Sequence, residues 1–351
     1  MLQMYELSIS EVRNLRRAAG DELRGDCPFC NDHKGHLYIN PVKGVFYCQR
    51  CAAAGKITEK IIQKGQIDKC SYRFPRERQT TKLNIKQLDK VYNTLLRCLD
   101  LKKEHYYHLL GRGFSGELIR IKGYKSLNSS EDLAELAERI ASTTSVADIP
   151  GFYQKDGRWM LVEDNGLLIP CRNFEGKIWG IQIRTDDRSK GRKYCWLSSA
   201  GRENGTKATA VYHVAVPTKL VNTKNVPKRV WITEGPLKGD YSAEKMGEIF
   251  ICVPGVNTWK RTRIVEELKR KKIQEAIICY DADAATNIYV AEAAYQLYKA
   301  LRSKGIQVQF AWWEIEKGKG IDDLLKNGCY PNIVSFENWQ KRNQLDRAIR
   351  S

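Results

Sequence analysis

The sequence predicts three successive parts: a small β module stapled by cysteines, an α+β segment, and a doubly wound α/β layer. Three observations carry this expectation. Two Cys-x-x-Cys pairs stand 17 residues apart near the N-terminus. Two strand-like runs joined by a turn fill residues 166–184. From Arg229 to Leu325, apolar runs alternate with helical stripes, and acidic residues stand where the runs end. Alternation of that kind argues a parallel sheet with right-handed crossovers.

The first pair is Cys27-Pro28-Phe29-Cys30 and the second Cys48-Gln49-Arg50-Cys51. Four thiolates at this spacing make a tetrahedral zinc site of ribbon type. A redox dithiol would account for one pair, not two. Between the pairs Leu37, Ile39, Val45 and Tyr47 lie on β-like segments, with Pro41 and Gly44 at a turn. His33 and His36 are competing ligands on paper, and loop residues otherwise. The module is expected over residues 1–66. Residues 67–86 follow as a polar, basic linker carrying Arg73, Arg76, Arg78 and Lys82 around Pro75.

The α+β segment is expected over residues 87–227. Helical stripes run from Ile85 to Leu110, and Ser115 is placed to cap the next helix, with Glu117 in its first turn. Gly166–Arg172 and Gly176–Arg184 read as two strands with a turn at Glu175-Gly176.

The α/β layer is expected over residues 228–330, with a C-terminal tail at 331–351. Val230–Thr233 is a short buried strand, and Pro236 suits the first turn of a helix that stops at Gly247. A strand follows over 249–253, then one helix from Thr258 to Lys272 with Ile264, Val265 and Leu268 on a stripe. Ala276–Tyr280 is the third strand, Ala284–Ser303 a long helix, and Ile306–Trp313 a fourth strand with Ile306, Val308, Phe310 and Trp312 on one face. Ligands of such sheets sit beyond the carboxyl ends of the strands. Glu234 and Asp281 fall there, with Asp283 one loop step away. Carboxylates crowded together repel unless a cation lies among them, and hard oxygen donors suit magnesium or manganese. Singly, each could be an ordinary helix N-terminal acid.

Composition bounds the rest. The chain has 351 residues, 28% charged and 42% hydrophobic, which suits a globular protein of two or three domains. A net charge of +18 points to a polyanionic partner, most simply nucleic acid. No apolar run reaches the roughly 18 residues of a membrane span, and Met1–Ser10 does not read as a signal peptide, so no membrane partner is expected. Eleven cysteines, an odd number, suit a reduced cytoplasmic setting.

Three motif groups carry a family resemblance. Ile232-Thr233-Glu234-Gly235-Pro236, Tyr280-Asp281-Ala282-Asp283 and the Gly320–Leu325 segment resemble a Toprim domain. The segment from Cys27 to Gly55, closing on Tyr47-Cys48 and Cys51, resembles the zinc domain of bacterial DnaG-type primases. Arg112-Gly113-Phe114-Ser115 and Lys193-Tyr194 before Leu197-Ser198-Ser199 resemble the N-terminal half of the primase catalytic core. The resemblance spans Asp26 to Leu325. It implies a DNA primase: a nucleotidyltransferase building short primers from nucleoside triphosphates on single-stranded DNA. It implies Glu234 as general base or metal ligand, and Asp281, Asp283 and Asp322 as magnesium ligands. It further implies Arg172, Arg184 and Lys193 as nucleotide- or template-binding cations. Phe29, Tyr38, Phe46 and Tyr47, with Lys34, Lys43 and Arg50, are candidates for stacking bases and meeting phosphates; ribbon core and solvated surface are the plainer readings. Gly320 departs from the family, standing where the first acid of an Asp-x-Asp pair is expected, and Asp323 can be structural.

Related activities remain open as alternatives: a Toprim nuclease, or a non-catalytic single-strand binder; a topoisomerase would need a tyrosine domain for which there is little room. The family's helicase-docking domain would not fit in the 26 residues after Leu325, so a helicase would be met elsewhere or not at all. The compact layout resembles primases of phages, plasmids or other mobile elements.

Overall fold

The computed structural model describes residues 5–18, 22–30, 32–41, 44–51, 53–58, 84–128, 132–187, 193–221, 227–285 and 287–343. The basic linker cations Arg73, Arg76, Arg78 and Lys82, and Lys43, lie outside the described residues. The chain divides into two units, Met1–Phe74 and Pro75–Ser351. Among the described residues no helix is long and apolar enough to cross a membrane.

The first unit is one six-stranded sheet. It contains β1 (Tyr5–Leu7), β2 (Arg16–Arg17), β3 (Leu23–Cys27), β4 (Asp32–Asn40), β5 (Val45–Cys48) and β6 (Ala54–Ile57), in the order β1-β6-β5-β4-β3-β2. The hairpin read from the sequence is β4 with β5, registered Leu37 to Cys48 and Ile39 to Phe46. Leu37, Ile39, Phe46 and Cys48 are buried with Leu7, while Val45 is exposed and Tyr47 half-buried. Pleating sends alternate side chains to opposite faces, so Phe46 belongs to the core and is unavailable to bases. Phe29 stacks on it at 5.5 Å between ring centroids.

The second unit begins with α1 (Ile85–Arg97), α2 (Lys103–Gly111), α3 (Gly116–Lys122), β7 (Lys125–Leu127), α4 (Leu133–Ala141), β8 (Phe152–Lys155), β9 (Arg158–Leu161), β10 (Gly166–Arg172), β11 (Ile178–Thr185) and β12 (Tyr194–Trp196). Ser115 caps α3 as its position suggested, accepting the Leu118 N–H at 3.1 Å. Strands β12-β11-β10-β7 form an antiparallel sheet, and β8 pairs with β9. Leu88, Val91, Leu95 and Leu136 from α1 and α4 pack with Leu168, Ile181 and Ile183 of this sheet.

The α/β layer follows. It comprises β13 (His213–Ala215), β14 (Arg229–Glu234), α5 (Pro236–Met246), β15 (Phe250–Val253), α6 (Trp259–Thr262), α7 (Ile264–Arg270), β16 (Glu275–Ile278), α8 (Ile288–Arg302), β17 (Gln307–Trp312), α9 (Ile321–Lys326), β18 (Asn332–Val334) and α10 (Phe336–Arg342). Strand order is β13-β15-β14-β16-β17-β18, with the central four parallel and both edges antiparallel. Both faces are covered. Ile232, Ile251, Ile278 and Phe310 pack toward α7, α8 and α10. Trp231, Phe250, Ile277 and Ala311 pack toward α5, α9 and the α2–α3 turn. The second half of the unit is therefore continuous with the first through one core.

Four readings are corrected here. The segment Thr258–Lys272 is two helices, broken at Arg263, whose φ is +55°. Trp259 and Ile264 are both buried. On one helix they would point about 140° apart at 3.6 residues per turn, and the break lets both reach the sheet. The long helix begins at Ile288, after a short 3-10 turn over Ala282–Ala285. That turn is pinned by the Ala282 N–H donating to the Lys319 carbonyl at 2.9 Å. The α+β segment, expected to run to residue 227, gives up its end to the α/β sheet, because His213–Ala215 is that sheet's edge strand β13. Finally, the expected tail at 331–351 holds β18 and α10, with Trp339 buried and stacked on Phe310 at 4.5 Å.

A buried polar network ties the two halves. Asp240 of α5 accepts the Tyr124 hydroxyl at 2.7 Å, pairs with Lys122 Nζ at 2.9 Å and receives His213 Nε2 at 3.1 Å. His213 Nδ1 accepts the Arg172 backbone N–H at 2.9 Å. With Nδ1 an acceptor, the Nε2–H is the ring donor that faces Asp240. Burial pushes the Asp240 carboxyl up, but Lys122, His213 and Tyr124 outweigh it and hold it well below its ordinary range. Replacing Asp240 by alanine strands a buried lysine, and we expect a loss of about 3–5 kcal/mol in chemical denaturation. A depressed carboxyl stabilises fully above its unfolded value of 3.8 and loses that contribution as pH falls below it. The wild type should thus lose stability below about pH 4 along a limb that the variant lacks. Equal stabilities at neutral pH would count against this role.

Candidate active site and cysteine cluster

The sheet gathers the acidic residues as the alternation suggested. Glu234 is the last residue of β14, and Gly235, at φ +79°, turns the chain into α5. An L side chain would be strained in that conformation. Asp281 and Asp283 follow β16, and Asp322 lies in the first turn of α9. Asp323 is structural: its carboxylate accepts the Gly320 N–H at 3.2 Å, closing the start of α9.

Each aspartate of this edge is matched to a cation. Lys238 of α5 pairs with Asp281 Oδ1. Lys319 Nζ lies 2.9 Å from Asp283 Oδ2, and Arg112 Nη2 lies 2.5 Å from Asp322 Oδ2. Burial raises the Glu234 carboxyl above its ordinary range; the charges of Asp281 and Asp283 add to this, and Lys238 opposes it. Glu234 thus stands among carboxylates whose charge disfavours its own, while among the described residues only the four cysteines bring three or more ligand atoms within 4.8 Å of one another.

A cationic cluster adjoins the acids through Arg112. Burial, then the charges of Arg184, Arg112, His105 and Lys193, pushes the His108 imidazole down to about 4. His108 is therefore neutral at physiological pH. The buried His108 Nε2, Arg112 Nε and Arg184 Nε have no hydrogen-bond partner among the described residues. Buried polar atoms are nearly always satisfied in folded proteins, so three unsatisfied together mark a place suited to a polar ligand. Arg184 and Lys193 thus lie near His108, and of this cluster Arg112 is the member that touches the acidic edge. Arg172 is not among them: its guanidinium donates to the Gly176 carbonyl at 3.1 Å, and its charged neighbours are Asp240 and Asp89.

In the first unit the thiol sulfurs of Cys27, Cys30, Cys48 and Cys51 all lie within 4.8 Å of one another. Cys27 and Cys51 are separated by 3.7 Å, and Cys30 and Cys48 by 4.0 Å. A tetrahedron with Zn–S bonds near 2.3 Å has edges of about 3.8 Å, so the cluster has the dimensions of a zinc site. Burial, opposed by the Phe29 N–H and reinforced by the neighbouring thiols, raises Cys27. Four thiols crowded in this way are relieved when a cation takes them as thiolates. His36 is not among the ligands. Its Nδ1 meets the buried Asp32 at 3.0 Å, and Arg50 Nη1 reaches the same carboxylate at 3.4 Å. Burial pushes Asp32 up, but the backbone N–H and ring of His36 bring it down to about 2.

Comparison with known proteins bears on this architecture. Residues 218–330 match a family model described as a domain of unknown function, DUF3854. A DNA primase of Borreliella burgdorferi is 25% identical over 204 residues, 50% of this chain and 39% of that protein. The crystal structure of the Aquifex aeolicus primase, zinc-binding and RNA polymerase domains, superposes with a TM-score of 0.54 at 18% identity, over 96% of this chain and 85% of that one. The chain shares its fold with the DnaG-type primases. A DnaG primase catalytic domain bound to single-stranded DNA also superposes, with a TM-score of 0.50 at 15% identity, over 74% of this chain and 78% of that one. The chain matches well under half the length of the curated primase.

Within the primase fold, the sequence reading missed Lys238, Lys319, Arg112 and His108 as parts of the site. Lys238 did carry a signal. It stands in the first turn of α5, where the helix dipole disfavours a cation unless carboxylates are near. The other three come together only through long-range packing of α2 and the loop before α9.

Proposed function

We propose that the chain is a DNA primase, making short oligonucleotides from nucleoside triphosphates on a single-stranded DNA template. The observation that carries this is the adjacency of two opposite clusters. An acidic edge of Glu234, Asp281, Asp283 and Asp322 meets a cationic patch of Arg112, Arg184 and Lys193 around neutral His108. Phosphoryl transfer needs both: cations for the triphosphate or template backbone, and carboxylates to hold a divalent ion. The net charge of +18 suits a nucleic-acid partner.

In this reading Asp281, Asp283 and Asp322 hold magnesium or manganese. When bound there, such an ion would supply positive charge against the reacting phosphates. A primer 3′-hydroxyl oxygen bonds to the α-phosphorus as the α–β bridging oxygen leaves with pyrophosphate. The hydroxyl proton passes to a base, and Glu234, with its carboxyl raised above its ordinary range by burial, is suited to take it. Arg184 and Lys193 bind phosphate, while Arg172 serves the fold. The four cysteines bind zinc, and the module they staple engages template.

The test is template-directed synthesis by zinc-loaded protein on circular single-stranded DNA, with magnesium and labelled nucleotides. Short labelled products from the wild type, and none from the Asp281→Ala/Asp283→Ala variant, are expected. Magnesium-dependent loss of the DNA without product would instead mark a nuclease.

A further inference from the structure

The cationic cluster around His108 contains an arginine that its nearest carboxylate leaves alone. Arg112 is paired with Asp322. The Arg184 guanidinium, at the end of β11, enters no ion pair among the described residues, and its buried Nε has no hydrogen-bond partner there. Yet a carboxylate stands two residues on. Asp186 is the residue after β11 and continues its ladder, its N–H donating to the Asn165 carbonyl at 3.1 Å. Residues two apart on an extended chain point to one side, and a carboxylate that close to a guanidinium ordinarily pairs with it. Asp186 instead meets α2, where His105 Nε2 lies 2.7 Å from its Oδ1.

His105 is 5% exposed, and its ring is oriented from behind. Ser126 Oγ of β7 accepts the Lys102 N–H at 2.8 Å and stands 2.7 Å from His105 Nδ1. A carboxylate only accepts, so the nitrogen facing Asp186 is the Nε2–H donor, and the Ser126 hydroxyl is placed to donate to Nδ1. His108 stands three residues on, along the same face of α2. We propose that His105 is a positioning residue of the phosphate-binding cluster: by holding Asp186 it keeps the Arg184 guanidinium unpaired and open to a phosphate group of template or nucleotide. The three buried nitrogens without partners, on His108, Arg112 and Arg184, give that group its place. The ladder bond from the Asp186 backbone is independent of His105, so losing the imidazole frees the Asp186 side chain without unpinning the strand.

The inference rests on reading Arg184 as a phosphate-binding cation, and the experiment separates the two. Binding of labelled single-stranded DNA, and separately of a labelled nucleoside triphosphate, is measured by fluorescence anisotropy on zinc-loaded full-length protein across a salt series. His105→Asn keeps an amide near Ser126 but falls short of Asp186. It should bind at least one of the two probes roughly fivefold more weakly, as an arginine newly tied to a carboxylate would. On DNA the slope of log affinity against log salt should shrink by about 0.7, one phosphate contact on a single strand. The probe that loses affinity tells whether the phosphate belongs to template or nucleotide. His105→Gln, whose amide reaches Asp186, should bind as the wild type does, and so should Asp186→Asn. His105→Asn/Asp186→Asn has no carboxylate to release and should recover wild-type affinity, which also shows that the fold survives without the imidazole. Wild-type binding of both probes by His105→Asn would overturn the inference. So would weakened binding by Asp186→Asn alone, or a double variant as weak as His105→Asn, either of which would make the contact an anchor of the fold. Unchanged binding of both probes by Arg184→Gln would overturn the phosphate reading itself.

Discussion

Glu234→Gln is expected to reduce primer synthesis by about 10²–10⁴-fold, the range associated with loss of a positioned general base. It should do so without harming the fold. Glu234 sits at the end of a buried strand, with its carboxyl raised by burial and by Asp281 and Asp283. A raised carboxyl contributes stability below its unfolded value of 4.5 and loses it as pH rises through the folded one. Near neutrality the ionised side chain is the less comfortable form, and glutamine is its neutral isostere. The variant should therefore melt no lower than the wild type at neutral pH, and the gap should close as pH falls toward the ordinary carboxylate range. Synthesis and melting move in opposite directions, which a merely structural residue cannot produce. Retained synthesis in the variant would sink the role given to Glu234. A coincident fall in melting temperature would recast the residue as structural.

The parts of this molecule that were legible in the sequence are those governed by local rules. Val230–Glu234 and Ala276–Ile278 are apolar on both faces because helices cover both faces of a parallel sheet, and runs of that kind announce themselves. The acids at their ends follow from strand polarity alone. The edge strands β13 and β18 were harder, being three residues each and antiparallel to a sheet whose interior is parallel. Three residues carry no usable period. The break at Arg263 was invisible for a different reason. Thr258–Lys272 is helical in pattern throughout, and only the demand that Trp259 and Ile264 both meet the sheet divides it. The cations of the site were the least legible. Arg112 and Asp322 are 210 positions apart, and nothing local in either segment forecasts their contact. Arg172, implied as a phosphate-binding cation by the resemblance alone, has local partners instead: its backbone N–H donates to His213 Nδ1 and its guanidinium to the Gly176 carbonyl.

Removing zinc should have the largest effect of all, confined to the first unit. The buried side chains there are few, chiefly Leu7, Leu37, Ile39, Phe46 and Ile57 around two of the cysteines. A module of this size rarely buries enough apolar surface to fold unaided. Structural zinc supplies on the order of 10 kcal/mol apparent, comparable to the whole stability of an ordinary domain. The cluster also bridges the hairpin β4–β5 to the end of β3, so its loss frees the chain on both sides of the sheet. Cys48→Ser, or chelation at neutral pH, is therefore expected to abolish amide protection in β3, β4 and β5. Protection in β14, β15 and β16 should stay at wild-type levels, because those strands belong to a different unit with its own core. Hydrogen exchange read segment by segment distinguishes the outcomes. Persistent protection of β4 and β5 without metal would mean that the sheet folds on its apolar residues alone, and that the four thiols, despite their tetrahedral spacing, do not hold it together.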